Sequence, residues 1–189
     1  VVKLSEESGS DGGDEKMSIQ SCGITNAQDQ KIFANCLQDS RETPKYALIG
    51  DSKADSIYKG LVRTSLPNAR WLFIGGAGLD DVPVPVLTEN KAYSKYQKAS
   101  AIALKEVSNN KNIDKVLIVI AARSIFQVES PYLLSPDNKH KNYDDAFNGL
   151  NKALDILIKS GKKVVLLIDN PTLSDPKHCL IRKTKFDYL

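Results

Sequence analysis

Three residues, Gly50-Asp51-Ser52, stand where an apolar run, Tyr46 to Ile49, gives way to a segment with helical spacing. A serine hydroxyl at such a junction can act as a nucleophile. The first turn of a helix favours developing negative charge, and the backbone N–H of Ser52 is placed to hold an oxyanion. The competing role is structural: a hydroxyl at a helix start can cap an otherwise unpaired N–H. Gly50 fits either role, since a sharp turn from strand to helix often needs a residue without a Cβ.

Further candidates follow other apolar runs. Gly75-Gly76-Ala77-Gly78 comes after the second run, and Ala121-Ala122-Arg123 after the third. The glycines do not form a dinucleotide loop. The segment behind them, Asp80 to Val86, carries two prolines and cannot open the helix that would receive a pyrophosphate. Arg123 has donors enough for an oxyanion or a polar substrate group, with a structural ion pair as the competing role. Asp175-Pro176-Lys177-His178 has the spacing of an orienting carboxylate and a general base, and His140 lies in a polar loop. No cluster of metal-ligand spacing is visible, so neither a metal nor another cofactor is implied. Of the three cysteines, Cys22 and Cys36 would close a small loop that a disulfide stabilises by about 3 kcal/mol. Two buried thiols in a reducing compartment are the alternative, and Cys179 is left over.

The elements that must position these residues are readable. Lys45 to Ile49, Arg70 to Ile74, Lys115 to Ala121 and Lys163 to Ile168 are near-continuous apolar runs, the pattern of strands covered on both faces of a parallel sheet. Helical spacing occupies Ser52 to Ser65, Asn90 to Val107 and Tyr143 to Lys159. In the last of these Phe147, Leu150, Leu154, Leu157 and Ile158 recur every three or four residues, and Gly161 stands at the C-cap. Residues 79–89 and 128–142 read as loops. The alternation predicts a doubly wound α/β domain, with ligands beyond the carboxyl ends of the strands.

At 189 residues and 41% apolar content the chain is sized for one core. Its first 20 residues, rich in Ser, Gly and acid, read as a flexible linker, with the domain over 21–189. A balance of 26 basic to 23 acidic residues, with lysines scattered, gives no footprint for nucleic acid. No run approaches the roughly 18 apolar residues of a membrane span, and the N-terminus lacks a signal-peptide layout.

The block IGDSKADSIYKGL resembles the first signature block of the SGNH, or GDSL-type, hydrolases, whose Gly-Asp-Ser carries the nucleophile. More narrowly, the order of a cysteine pair, Gly-Asp-Ser-x-Ala, Ala-Ala-Arg and Asp-Pro-x-x-Cys is similar to the SGNH domain fused to bacterial membrane acyltransferases of the acyltransferase-three family, which O-acetylate cell-surface carbohydrates. Lys53 replaces the histidine usual in that subgroup, and Arg123 agrees with the subgroup where the wider superfamily has asparagine. The resemblance covers Ser21 to Arg182. It implies a three-layer, flavodoxin-like fold, Ser52 as nucleophile, an oxyanion donor at Gly76 or Gly78, an oxyanion or substrate role for Arg123, and a Cys22–Cys36 disulfide.

The same resemblance makes Asp175 and His178 a decoy, the alternative being that a shortened relative has recruited them to complete the triad. In the subgroup a loop like NPTLSDPKHCLIR comes early, and the catalytic Asp-x-x-His follows a further helix and strand. The expectation is therefore a domain incomplete at its C-terminus, with Cys179 separated from its partner and the isolated chain poorly active. The function implied is O-acyl transfer, of an acetyl group from an unidentified donor, to a carbohydrate acceptor. An integral membrane domain of the parent protein is the expected partner, and the periplasmic side of the inner membrane the expected location. The alternatives are an esterase of the same fold and a non-catalytic carbohydrate-binding or scaffold domain.

Overall fold

The structure, a computed structural model, describes residues 19–24, 26–39, 43–65, 70–76, 82–126 and 142–168, with Arg123 and Ile168 described in backbone only. In chain order the elements are β1 (Ile19–Ser21), α1 (Ala27–Gln30), β2 (Asn35–Asp39), β3 (Tyr46–Gly50), α2 (Ser52–Thr64), β4 (Trp71–Gly75), a 3-10 turn (Lys91–Tyr93), α3 (Ser94–Asn109), β5 (Lys115–Ile120), α4 (Ala122–Phe126), α5 (Tyr143–Lys159) and β6 (Lys163–Ile168). All six strands form one sheet in the order β1-β2-β4-β3-β5-β6.

The four strands expected from apolar runs are β3 to β6, and they pair in parallel as β4-β3-β5-β6. Numbered among themselves these strands run 2-1-3-4, the flavodoxin-like winding, so the connections after β3 and after β5 run in opposite directions and the crevice opens between those two strands. Their side chains alternate between two cores. Ala47, Ile49, Ile74, Val116, Ile118 and Ile120 face the larger core with α3 and α5, while Leu48, Phe73 and Val119 face Ala54, Tyr58 and Val62 of α2. Helices thus cover both faces, as the doubly wound reading requires.

β1 and β2 are antiparallel additions at one edge: β2 pairs with β4, and β1 with β2. β1 starts at Ile19, inside the stretch read as a linker, and residues 1–18 lie outside the described residues. The Cys22–Cys36 disulfide joins the segment after β1 to β2, with a Cα–Cα distance of 5.1 Å and both residues buried. Beside it Cys22 N–H donates to Cys36 O at 2.7 Å.

Two polar side chains fix connections behind the sheet. Lys162, 8% exposed, donates from Nζ to Asn110 O at 2.6 Å and Ile113 O at 2.8 Å, joining the end of α3 to the turn before β6. Tyr93 donates from its hydroxyl to Ile125 O at 2.5 Å, holding α4 against the start of α3. Residues 82–89 are irregular, and the described part of the expected 79–89 loop is buried through Pro83 to Val86.

Candidate functional site

β3 ends at Gly50 because nothing larger fits. A Cβ there would stand 1.9 Å from Val119 O on β5, so close strand approach sets the glycine requirement. Asp51 follows in extended geometry (φ −90°, ψ −153°) and is the N-cap of α2. Its Oδ1 accepts from Lys53 N–H at 2.9 Å, and its Oδ2 accepts from Ala121 N–H at 3.0 Å, directly beyond the end of β5. Asp51 is 7% exposed. One carboxylate therefore caps the helix and spans the crevice between β3 and β5.

Ser52 is the first residue of α2, and it does not cap the helix; Asp51 does. Its side chain is exposed, and neither its hydroxyl nor its N–H has a hydrogen-bond partner among the described residues. The N–H is one of the first-turn donors that a helix leaves unpaired. The arrangement sets an exposed serine and its adjacent N–H at the topological switch point. It is suited to adding an oxygen to a carbonyl and holding the resulting negative charge.

The other sequence candidates are placed unevenly. Gly76 follows β4 with φ +103°, and its N–H donates to Gly50 O at 3.1 Å, so that donor is engaged by the neighbouring strand end. Arg123 is the second residue of α4, two positions after the Ala121 that bonds Asp51; its side chain lies outside the described residues. Gly78, His140, Asp175, His178 and Cys179 lie outside them as well. Among the described residues there is no histidine, and no cluster of three or more His, Cys, Asp or Glu suited to a metal. No described helix is long and apolar enough to cross a membrane.

Beyond Ala121 lies a cavity of about 370 Å³, lined by Ile120, Ala122, Phe126, Tyr143, Phe147 and Leu167 among others. The rings of Phe126, Tyr143 and Phe147 stack successively, with centroids 5.3 and 6.4 Å apart. Ile120 and Leu167 place it beside the carboxyl ends of β5 and β6, at the edge that also carries Ser52.

Sequence reasoning named Ser52 but passed over Asp51. A signal was present, since an aspartate immediately before a helical run is a standard N-cap. Its second bond, to a residue 70 positions away, had no sequence signal.

A family model described as "SGNH domain (fused to AT3 domains)" matches residues 21–188. No curated protein matches the chain.

Proposed function

The chain belongs to the SGNH domain family that occurs fused to AT3 domains, and from that premise we propose that Ser52 is the nucleophile of an O-acyltransferase acting on cell-surface carbohydrate. The observation that carries the reading is the division of labour at the head of α2. Asp51 takes the capping role, leaving Ser52 exposed, with neither hydroxyl nor N–H engaged among the described residues.

In this mechanism Ser52 Oγ loses its proton to a base and adds to the acyl carbonyl. The carbonyl electrons move onto oxygen, where Ser52 N–H and the positive end of α2 hold them. Collapse expels the donor's leaving group, which takes the proton from the base, and gives an acyl-enzyme. The base then removes the proton of a carbohydrate hydroxyl as that oxygen adds to the same carbonyl, and a second collapse releases the ester while the base returns the proton to Ser52 Oγ. Gly78 and Arg123 are the remaining candidates for oxyanion or substrate contacts. Gly76 would serve only if its N–H left Gly50 O. The acyl group is taken to be acetyl, delivered by the membrane domain of the parent protein. The disulfide supports an oxidising compartment, and hence the periplasmic side of the inner membrane.

A serine-directed alkylphosphonate tests the nucleophile. The expected outcome is one adduct, mapped to Ser52 by mass spectrometry, absent from Ser52→Ala. A folded chain that binds oligosaccharide and gives no adduct at Ser52 would instead support the carbohydrate-binding or scaffold reading. The exposure of Ser52 favours one second reading: water reaches the site, and an esterase would pass the acyl group to water. Partition of acetyl between water and added oligosaccharide separates the two.

A further inference from the structure

The geometry points to Asn35 as a substrate-contacting residue of the Ser52 site, its side-chain amide donating to the developing oxyanion. The inference rests on Ser52 being the nucleophile, but concerns a residue that no motif of the chain nominates. Asn35 opens β2, and because β2 runs antiparallel to β4, its start lies at the edge where β3 and β4 end. In the register Asn35 pairs with Gly75, and Gly75 pairs with Gly50, two residues before Ser52.

Two further observations place the amide. A Cβ on Gly76 would stand 2.6 Å from Asn35 Nδ2, so the side chain lies directly over that glycine, whose own N–H is engaged by Gly50 O. Asn35 Nδ2 also donates to Asp55 Oδ1 at 3.2 Å. Asp55 follows Ser52 by three positions on α2, and residues so spaced have Cβ atoms about 5–6 Å apart on one helix face. The amide is thereby held within one helical turn of the nucleophile. An amide nitrogen has two hydrogens, so the bond to Asp55 orients the group and leaves a second N–H to donate.

The support beneath Asn35 is rigid. The next residue, Cys36, is in the buried disulfide, and its strand is paired along its length with β4. A donor fixed before the reaction begins is what stabilisation of an oxyanion requires. A purely structural tie between β2 and α2 explains less, because Asp55 is exposed and Asn35 only half-buried, where a single hydrogen bond adds little to folding.

The rate of Ser52 labelling by the alkylphosphonate, whose addition also develops charge on oxygen, reads the role in the full chain. Asn35→Leu is expected to slow labelling on the order of a hundredfold with the melting temperature unchanged. Asn35→Ser, which removes the amide without adding bulk, provides the same test if the leucine variant folds poorly. Asp55→Ala, which keeps the amide but frees it, is expected to slow labelling by less than either. Equal labelling of wild type and folded Asn35 variants overturns the assignment while leaving Ser52 as nucleophile, and so does a loss that only tracks a fall in melting temperature. Absence of any Ser52 adduct in the wild type overturns both.

Discussion

Residue by residue, the junction after β3 separates stability from reactivity. Asp51 accepts two backbone N–H bonds from a nearly buried position, whereas Ser52 accepts none among the described residues and lies exposed. Asp51→Ala removes a cap worth about 1 kcal/mol and a hydrogen bond to a charged group worth roughly 1.5–3 kcal/mol. Its urea midpoint is therefore expected to fall by the equivalent of about 3 kcal/mol. Ser52→Ala should stay within about 0.5 kcal/mol of wild type. A large loss in Ser52→Ala would mean that its hydroxyl has a structural role after all.

At the scale of the element, α2 is held by Ala54, Tyr58 and Val62, four residues apart on one buried face, with Tyr58 stacked on Phe73 at 5.1 Å. The Tyr58 side chain is 1% exposed, and its hydroxyl has no partner among the described residues. Burial first, and the Asp39 carboxylate second, push its pKa well above the ordinary tyrosine value. A pKa raised in the folded state contributes stability fully present below the unfolded value of about 10 and lost as pH rises toward the folded value. Wild-type melting temperature should therefore drop as pH climbs past about 10, and Tyr58→Phe should flatten that drop. At neutral pH the substitution removes an unsatisfied buried hydroxyl, so it is expected to leave stability unchanged or raise it by up to about 1 kcal/mol. Thermal melts of both proteins from neutral to alkaline pH provide the check.

Across the whole molecule the two faces of the sheet are unequally covered at β6. Val165 and Leu167 are 55% and 48% exposed on the α2 side, and among the described residues β6 pairs only with β5. An apolar edge of this kind invites self-association. Replacing both by lysine is expected to reduce high-mass species on gel filtration at a cost within about 1 kcal/mol. Phe73→Ala, at a fully buried position on β4 that faces α2, should cost about 3–5 kcal/mol. Equal losses from the two changes would show that the β6 face is covered in solution.

The sequence by itself determined the parallel strands β3 to β6, the long helices and the place of Ser52, because each depends on side chains adjacent or one turn apart. Apolar runs such as KVLIVI report burial on both faces wherever they occur. Only the tertiary structure decided the rest. β1 and β2 were hidden because they are short and mix polar with apolar residues, as in Asn35-Cys36-Leu37-Gln38-Asp39 where the polar Asp39 is buried and Leu37 is not, and α4 is too short to show a helical period. The strand order, the bond from Asp51 to Ala121, the engagement of Gly76 and the delivery of Asn35 to the head of α2 all join residues distant in the chain. Such contacts leave no local pattern, since nothing but the closed sheet brings their partners together.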